Sequence, residues 1–470
     1  MTVQEAAVRE TDVVVIGAGP VGENVADRAV RGGLEVVIVE SELVGGECSY
    51  WACMPSKALL RPGAALRAAQ SVAGVTGGAL DPAAILRRRD GFASDWDDSG
   101  QVGWLRGAGI ELVRGRGRIE GERRVLVDGD GGQTELVARH AVVLATGSAA
   151  RIPDIPGLRE ARPWTSREAT SVGDVPPRLV VLGGGVVAVE VATMFADLGS
   201  SVTVLSRSSL LRGMEPFAGD LVRDALRERG VVVREGARID EVRRDGGTVR
   251  VAFSDGEVEA DEVVVATGRE ARTRDLGVDD LLDARGLLDV DDTLRVRGSD
   301  WLYAAGDAAG RVLLTHQGKY EARAVGDVIA ARARDGEVDD APWGRHVATA
   351  DHAAVAQVVF TDPEAASAGL TAAQAEDRGI RTRVVDYDLA NVAGAGLLAD
   401  GYAGRARAVV DEDRGVLVGL TLVGPGSGEL IHAATIAIVG EVPLARLWHA
   451  VPAYPTLSEL WLRLLEEYGL

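Results

Sequence analysis

The stretch Asp12-Val13-Val14-Val15-Ile16-Gly17-Ala18-Gly19-Pro20-Val21-Gly22 begins the first organised region of the chain. Residues 12–16 form an apolar run, which is typical of a strand buried on both faces, and a glycine-rich turn follows at once. Helical spacing comes next, a second strand is predicted over residues 35–39, and Glu40 closes that strand. This order is the dinucleotide-binding fingerprint, in which glycines let the backbone approach a pyrophosphate and the acid accepts hydrogen bonds from ribose hydroxyls. The alternative is a glycine-rich turn that binds nothing.

The same plan recurs in the middle of the chain. An apolar run at residues 179–182 precedes Gly183-Gly184-Gly185-Val186-Val187-Ala188, a helical pattern follows, and a second strand is predicted over residues 201–205. Both repeats close on a similar apolar strand and turn, Ala145-Thr146-Gly147 in the first and Ala266-Thr267-Gly268 in the second. Two units of one plan imply two nucleotides, as in an enzyme that passes electrons between two cofactors.

The repeats differ at the end of the second strand. The first repeat has the acid Glu40 there, whereas the second has Ser206 followed by Arg207 and Arg212. An acid at this place repels a 2′-phosphate, and arginines can pair with one. The sequence therefore predicts NADPH rather than NADH at the second site. The alternative is that both arginines are merely solvated in an Arg-rich chain.

Both cysteines lie in one stretch, Gly45-Gly46-Glu47-Cys48-Ser49-Tyr50-Trp51-Ala52-Cys53-Met54-Pro55-Ser56-Lys57. This close spacing favours a redox disulfide over two structural thiols, and no second Cys or His pair stands nearby to complete a metal site. Lys57 is one of two lysines among 51 basic residues, the other being Lys319. Because lysine is a compact charge and arginine a planar fork, this Lys indicates a site that requires a small ammonium group.

Composition limits the possible functions. A chain of 470 residues is too long for one core and predicts about three or four domains. No apolar run reaches membrane-spanning length and the N-terminus does not resemble a signal peptide, so we expect a cytoplasmic protein with no membrane partner. In that compartment a close Cys pair is more often catalytic or metal-binding than structural. The net charge of −20 argues against nucleic acid as a partner.

Other stretches give weaker indications. The run Trp301-Leu302-Tyr303-Ala304-Ala305-Gly306-Asp307 predicts a strand whose final Asp could accept hydrogen bonds from sugar-like hydroxyls of a cofactor. The chain turns polar near residue 340, which favours a domain boundary, and Tyr454-Pro455-Thr456-Leu457-Ser458-Glu459 precedes a last apolar helix. Further elements are predicted as strands at residues 110–113, 124–127, 135–137 and 141–144 and as a helix at residues 56–73.

Together these motifs resemble the class I pyridine nucleotide-disulfide oxidoreductases, the family of lipoamide dehydrogenase, glutathione reductase and mercuric reductase. The resemblance covers nearly the whole length and rests also on Ala266-Thr267-Gly268-Arg269 and Phe360-Thr361-Asp362-Pro363-Glu364. It implies an α/β fold with two Rossmann-like dinucleotide-binding domains, for FAD and NAD(P), and a C-terminal α+β dimerisation domain. The implied domains are residues 1–155 (FAD domain with the redox disulfide), 156–275 (NAD(P) domain), 276–345 (central domain completing the FAD site) and 346–470 (dimerisation or interface domain).

The resemblance also implies roles. Electrons would pass from NADPH to FAD and then to the disulfide, with Cys53 as the flavin-side thiol and Cys48 as the thiol that attacks substrate. Lys57, paired with Glu190, would stabilise reduced flavin and thiolate. The chain would form a homodimer whose C-terminal motif reaches the partner subunit's disulfide. The implied cofactor-binding residues are Gly17, Gly19, Gly22, Glu40, Gly46, Lys57, Gly117, Thr146, Gly147, Asp307, Thr315, Gly183, Gly185, Ala188, Arg207, Arg212 and Gly268.

Three departures from the family pattern bear on function. Tyr454 stands where lipoamide dehydrogenase has its acid–base His, with Glu459 still five residues on. With a reference pKa of about 10, tyrosine is a poor general base, although it can donate a hydrogen bond. Tyr50-Trp51 replaces smaller residues and could line a flat acceptor pocket or simply pack. Val186 replaces a Tyr that covers the nicotinamide pocket in glutathione reductase.

Three functions remain open on the sequence. The first is an NADPH-dependent, FAD-containing reductase of a small disulfide, favoured by the Cys48–Cys53 pair with Lys57 and Glu190. The second is a reductase of quinones or other acceptors, favoured by the missing His. The third is a flavin-binding redox sensor with negligible turnover. Mercury or metal reduction is disfavoured because the ligand cysteines of mercuric reductase's C-terminus are absent, and no metal site is predicted.

Overall fold

The structure is a computed structural model that describes residues 7–470. The chain separates into two compact units built from alternating segments: residues 1–54, 91–149 and 269–351 in the first, and 55–90, 150–268 and 352–470 in the second. Four of the points where the chain passes from one unit to the other fall inside helices or strands, namely Cys53–Gln70, Pro82–Phe92, Ser148–Ala150 and Ala350–Ala353.

The first unit is organised around a sheet with a parallel centre. Ala7–Ile16 pairs in parallel with Val36–Glu40 on one side and with Gly132–Leu144 on the other. Valines and isoleucines fill this centre because both of its faces are covered, and Val13, Val14 and Val15 are fully buried. The strands in spatial order are Glu111–Arg114, Val36–Glu40, Ala7–Ile16, Gly132–Leu144, Arg124–Gly129 and Arg116–Gly121, with Leu302–Ala304 also paired to Gly132–Leu144.

Two helices of the first unit pack closely along one another, Pro20–Arg31 and Thr315–Arg332. Gly326 permits the approach, because a Cβ there would lie 2.9 Å from the Val25 carbonyl oxygen. Arg28 secures the contact with a two-pronged ion pair to Asp327, at 2.8 and 2.5 Å. The remaining helical elements of this unit are Gly46–Tyr50, Ser94–Trp96, Ser99–Gly107, Asp279–Leu281 and Gly306–Ala308, and Arg269–Ala271 is a short strand.

The second unit contains a four-stranded parallel sheet and two antiparallel sheets. The parallel sheet has the order Val232–Glu235, Ser201–Ser206, Arg178–Leu182, Glu262–Val265. Its core is a continuous apolar cluster that includes Val181, Val189, Phe195 and Val204. The three-stranded antiparallel sheet is Ile239–Asp245, Thr248–Phe253 and Gly256–Ala260.

The C-terminal part of the second unit forms a five-stranded antiparallel sheet with helices. Val416–Val423 is buried along its entire length at the centre of this sheet. The strands in spatial order are Ala356–Val359, Ala365–Gly369, Val416–Val423, Arg405–Asp411 and Thr382–Asp388. The helices of the second unit are Ser166–Thr170, Val186–Asp197, Pro216–Glu228, Ala372–Asp377, Leu389–Asn391, Ala393–Leu398, Ser427–Val439, Leu444–Leu447, Leu457–Glu459 and Leu460–Tyr468.

The predicted α/β class and most predicted elements are present, with two differences. The strands expected at residues 135–137 and 141–144 are one strand, Gly132–Leu144, because its pairing with Ala7–Ile16 continues across the intervening residues with a single irregularity. The helix expected at residues 56–73 begins at Cys53 and ends at Gln70, and Pro62 lies inside it. The second cysteine therefore occupies the first position of a helix.

Candidate functional site

The first glycine turn leaves no room for side chains on its inner face. A Cβ at Gly17 would lie 2.4 Å from the Ala145 carbonyl oxygen, and one at Gly22 would lie 1.8 Å from the Gly17 carbonyl oxygen. By contrast, a Cβ at Gly19 would meet nothing within 4 Å. The helix Pro20–Arg31 starts here, so its backbone N–H groups border this open space. A tight turn with an open outer face at a helix N-terminus fits the pyrophosphate of a dinucleotide.

Glu40 is held firmly at the end of the second strand. Its Oε2 accepts a hydrogen bond from the Ala18 backbone N–H at 2.8 Å, and its Oε1 accepts one from the Glu42 N–H at 2.7 Å. The carboxylate is therefore fixed beside the glycine turn, where a ribose would lie. Gly46 also borders the turn, since a Cβ on it would approach the Gly19 Cα to 2.9 Å. This part of the first unit combines the features expected of an FAD cradle.

The two cysteines lie next to this cradle in sequence and are both half-buried. Cys48 sits in the short helix Gly46–Tyr50, and Cys53 begins the helix Cys53–Gln70. The Cys53 Sγ lies 3.3 Å from the Thr315 Oγ1. Between the cysteines, Tyr50 is only 1% exposed, and its hydroxyl donates to the Val44 carbonyl at 3.0 Å. Tyr50 is therefore packed in the interior and does not line an open acceptor pocket. The same burial raises the pKa of Tyr50 to about 12.

Asp307 follows the strand Leu302–Ala304 in the first unit and is anchored by neighbours that the sequence did not single out. Ser148 Oγ hydrogen-bonds to Asp307 Oδ2, and Arg269 Nε donates to the same Ser148 Oγ at 2.6 Å. Thr146 Oγ1 donates to the Arg272 carbonyl at 2.6 Å. Arg269 belongs to the Ala266–Arg269 motif, so that motif was the available signal for this anchor. The arrangement holds one carboxylate ready for cofactor hydroxyls.

The remaining first-unit candidates are glycines. Gly147 adopts the left-handed region, with φ of 70°, and its carbonyl accepts a hydrogen bond from Arg272 N–H at 2.9 Å. Gly117 lies in the strand Arg116–Gly121, where a Cβ would approach Ile16 and Val39 side chains to 3.3 Å. Gly117 therefore brings backbone close to the ends of the two strands that precede Gly17 and carry Glu40.

The second glycine turn repeats this geometry in the second unit. A Cβ at Gly183 would lie 2.2 Å from the Ala266 carbonyl oxygen, whereas one at Gly185 would meet nothing within 4 Å. Ala188 takes the place of the third glycine and is fully buried at the start of the helix Val186–Asp197. Gly268, with φ of 122°, accepts a hydrogen bond from Arg151 N–H at 3.0 Å. This turn also fits a dinucleotide.

Arg207 and Arg212 follow the second strand of this repeat. Both are exposed, and neither forms an ion pair with a carboxylate in residues 7–470. Elsewhere in the unit arginines are commonly paired, as Arg223 is with Asp220. Both guanidinium groups are therefore available to an anionic ligand.

Lys57 and Glu190 form an ion pair within the second unit. The Lys57 Nζ lies 2.7 Å from Glu190 Oε2, and the Glu190 side chain is 6% exposed. Phe360 supports the pair twice: its backbone N–H donates to Glu190 Oε1 at 3.0 Å, and its ring centre lies 4.9 Å from Nζ. The sequence marked Phe360 only as part of a motif, without a role. A buried carboxylate thus fixes the ammonium position.

The two C-terminal candidates have different environments. Tyr454 is 76% exposed. Glu459 is buried, and its Oε1 accepts a hydrogen bond from Arg463 Nη2 at 2.5 Å. No hydrogen bond joins Glu459 to Tyr454 within residues 7–470. The same residues contain no group of three or more potential metal ligands. No helix in the described part of the chain is long and apolar enough to cross a bilayer.

Comparison with known protein families gives matches over most of the chain. Residues 11–322 match the pyridine nucleotide-disulphide oxidoreductase family, and residues 355–464 match the dimerisation domain of the same family. Similar characterised proteins include mercuric reductase of Shigella flexneri, 33% identical over 95% of this chain and 79% of that protein. Dihydrolipoyl dehydrogenase of Haloferax volcanii is 34% identical over 96% of this chain and 94% of that protein.

Solved structures agree on the fold. LpdA from Mycobacterium tuberculosis superposes with a TM-score of 0.83 at 25% identity, covering 98% of this chain and 100% of that one. The Cu(II) complex of the HOCl-induced flavoprotein disulfide reductase RclA from Escherichia coli gives a TM-score of 0.83 at 24% identity, covering 97% and 99%. At this identity the latter likeness concerns the fold alone.

Proposed function

The chain belongs to the pyridine nucleotide-disulphide oxidoreductases, and we propose that within this family it is an NADPH-dependent reductase of a small disulfide. The family is FAD-dependent and uses a pyridine nucleotide, and its members are flavoprotein oxidoreductases. When bound, FAD supplies the two-electron carrier between the nicotinamide and the protein disulfide. The proposal concerns what this chain's own residues do around it.

The FAD would be held by the first unit's glycine turn, by Glu40 and by Asp307. The support for this is the open face at Gly19 and the two fixed carboxylates, each held by hydrogen bonds from the protein. A cofactor hydroxyl would therefore meet an acceptor that is already oriented, which lowers the entropic cost of binding. We propose the same scheme at Gly183 and Gly185 for the nicotinamide nucleotide.

The observation that carries the proposal is the Lys57–Glu190 pair. Lys57 follows Cys53 by four residues, which is one turn along the helix Cys53–Gln70. Its ammonium is held in place by a buried carboxylate and an aromatic face. A fixed cation this close in sequence to a Cys pair favours thiolate over thiol. We propose that it stabilises the Cys53 thiolate after the Cys48–Cys53 disulfide is reduced.

Tyr454 limits the proton transfers that this chain can make at its thiols. Its exposure supports a role across a homodimer, in which the partner subunit's Tyr454 would donate a hydrogen bond at the disulfide. A neutral phenol already carries its own proton, so it can donate a hydrogen bond but cannot take up the thiol proton. In this proposal the proton released by Cys48 passes to solvent or to the leaving thiolate of the substrate.

We further propose the four domains as assigned from the sequence and a cytoplasmic location.

The two exposed arginines support NADPH over NADH. Arg207 and Arg212 carry charge that no described carboxylate neutralises, and Ser206 leaves the strand end free of an acid. A 2′-phosphate would supply the missing anion. An NADH-specific site of this fold has an acid at that place, which would repel the phosphate.

The first test is an anaerobic NADPH titration of the FAD-loaded protein, followed by absorbance. The expected result is uptake of four electrons for each FAD, about two more than the flavin alone holds, with a long-wavelength thiolate-to-flavin band at the midpoint. Cys48→Ser should retain FAD but lose the extra uptake. Bleaching of the flavin without the band or the extra electrons in the native protein would exclude the disulfide from the relay.

A second candidate function is the reduction of quinones or other acceptors, favoured by Tyr454 in the place of a base. The Cys48→Ser variant separates the two functions. If the physiological acceptor is a disulfide, this variant loses turnover of small disulfides. If the physiological acceptor is a quinone, the variant reduces a soluble benzoquinone at close to the rate of the native protein. In that case the native protein itself shows no turnover of small disulfides.

A further inference from the structure

A hydroxyl group touches the flavin-side cysteine in the first unit. The Thr315 Oγ1 lies 3.3 Å from the Cys53 Sγ, although 262 residues separate the two in the chain. This distance is within the range of hydrogen bonds to sulfur, and a hydroxyl is the stronger donor of the two groups. Nothing in the sequence pattern marks Thr315 for this contact, since the family resemblance assigns only its backbone to FAD.

The contact is placed by the ends of two long helices. Cys53 is the first residue of an 18-residue helix, and Thr315 is the first residue of another 18-residue helix. Each helix N-terminus carries a partial positive charge, so the sulfur lies where two such charges favour an anion. The Thr315 side chain does not cap its own helix, which leaves its hydroxyl directed at sulfur.

The second of these helices is held rigidly along its length. Glu321 is fully buried, and its Oε2 accepts a hydrogen bond from the Gly306 backbone N–H at 2.5 Å. Further along, Asp327 pairs with Arg28. The hydroxyl of Thr315 therefore approaches Cys53 from a fixed scaffold, which is the condition for a hydrogen bond that costs little entropy.

We propose that the Thr315 hydroxyl donates a hydrogen bond to the Cys53 thiolate and so helps to keep the flavin-side sulfur ionised. This inference rests on the proposed function, in which two electrons break the S–S bond and leave a sulfur on each cysteine. One proton from solvent converts the Cys48 sulfur to a thiol, and the Cys53 sulfur keeps its negative charge. A thiol on Cys53 would gain much less from the same hydroxyl, so the contact favours the charged form.

Other titratable groups lie close to Cys53, Cys48 or Thr315 in the sequence and must be separated from this effect. Lys57 follows Cys53 by one helical turn, and His316 follows Thr315. The Glu47 carboxylate, adjacent to Cys48, forms an ion pair with Arg272 at 3.2 Å. None of these groups is altered by changes at Thr315, so a variant series at this one position isolates the hydroxyl.

The test uses FAD-loaded Cys48→Ser protein, which leaves Cys53 as the remaining thiol beside oxidised FAD. The long-wavelength thiolate-to-flavin absorbance is titrated against pH and its midpoint is measured. Adding Thr315→Val, which keeps shape but removes the hydroxyl, should raise the midpoint by about one pH unit, the usual worth of a hydrogen bond to a charged group. Adding Thr315→Ser, which restores a hydroxyl, should return the midpoint close to that of Cys48→Ser alone.

Thr315→Ala provides a second hydroxyl-free variant in case valine displaces the helix. Absorbance of bound flavin reports whether each variant has folded and kept its FAD. A raised midpoint in the hydroxyl-free variants together with rescue by serine supports the inference. An unmoved midpoint in either hydroxyl-free variant that retains FAD overturns it but leaves the proposed function standing. If Cys48→Ser alone shows no thiolate band, Cys53 is not the flavin-side thiol, and the proposed function fails with it.

Discussion

The two glycine turns share a plan but differ in how tightly each is wound. In both, the first glycine faces a carbonyl oxygen that would clash with a Cβ, at 2.4 Å for Gly17 and 2.2 Å for Gly183. They differ at the third position of the glycine pattern: a Cβ at Gly22 would lie 1.8 Å from the Gly17 carbonyl oxygen, whereas the second turn accommodates Ala188. The first turn thus leaves no room for a side chain at a position where the second turn holds a methyl group.

They differ also in the charge that each presents to a ligand. The first ends in Glu40, whose carboxylate is held by two backbone N–H groups, and the second ends in Ser206 with two exposed arginines beyond it. Fixed acceptors suit the ribose hydroxyls of a dinucleotide, and exposed cations suit a phosphate group. The two turns therefore share one backbone plan and differ, at a few positions, in the charge that they present to a ligand.

The largest effect is expected from forcing the second turn's residue into the first. Gly22→Ala places a methyl group against the Gly17 carbonyl, and since backbone oxygen cannot rotate away, the turn must open at a cost of about 3 kcal/mol. The purified variant should lose most of its FAD absorbance and unfold at lower temperature.

The reverse change is the matched control. Ala188→Gly removes a buried methyl group near a helix start and should cost about 1 kcal/mol with native FAD content. A Gly22→Ala protein that binds FAD as the native protein does would show that both turns have the same spacing, contrary to the geometry described above.

The charge difference is tested by removing the two arginines. Arg207→Ala with Arg212→Ala should raise the KM for NADPH about 10- to 100-fold, the worth of one or two hydrogen bonds to a charged phosphate, and leave the KM for NADH nearly unchanged. Steady-state rates with a common acceptor give both constants. Arg238→Gln is the control, because Arg238 is exposed and paired with Asp240. An equal rise for both nucleotides would mean that the arginines do not read the 2′-phosphate.

The repeated plan was accessible from the sequence because it depends on local order. A strand, a glycine turn and a helix follow one another within about twenty residues, and the period of apolar residues changes where the turn lies. The single long strand Gly132–Leu144 was not, since Arg139 and His140 interrupt the apolar run, and the strand is joined into one by its pairing with Ala7–Ile16 on either side of them. Local pattern cannot show a partner strand.

The contacts of the candidate site likewise include some that the sequence predicted and some that it did not. The Lys57–Glu190 pair was predicted through the family resemblance, and the ion pair is present at 2.7 Å. The Phe360 support and the Thr315–Cys53 contact were missed because each joins residues 170 or more positions apart. Neither Phe nor Thr has a chemistry that would single it out in a sequence. The hydroxyl gains significance only when folding places it beside sulfur.

A further difference between the turns concerns the residue that follows each third position. Glu23 occupies that place in the first turn, and fully buried Val189 occupies it in the second. The Glu23 Oε1 is buried and accepts no hydrogen bond from any residue in the described part of the chain. Burial raises the pKa of Glu23 from 4.5 to about 7, with Lys319 opposing and Glu40 adding to the rise.

The sign of the pH dependence follows from this pKa. Because the folded carboxyl binds its proton more tightly than the unfolded one, the protein loses stability as pH rises from 4.5 to about 7. Glu23→Gln stays neutral and should escape that loss. The FAD-loaded variant should match the native protein in urea near pH 4.5 and exceed its free energy of unfolding by about 3 kcal/mol at pH 8. Asp27→Asn on the same helix is the control, since it removes only a surface ion pair with Arg31 and should cost less than about 1 kcal/mol. If Glu23→Gln gained no stability relative to the native protein between these pH values, the Glu23 carboxyl would be ionised in the folded protein at little cost. The two turns would then differ in the room at the third position and in the charge offered to a ligand, but not in the stability cost of a buried acid.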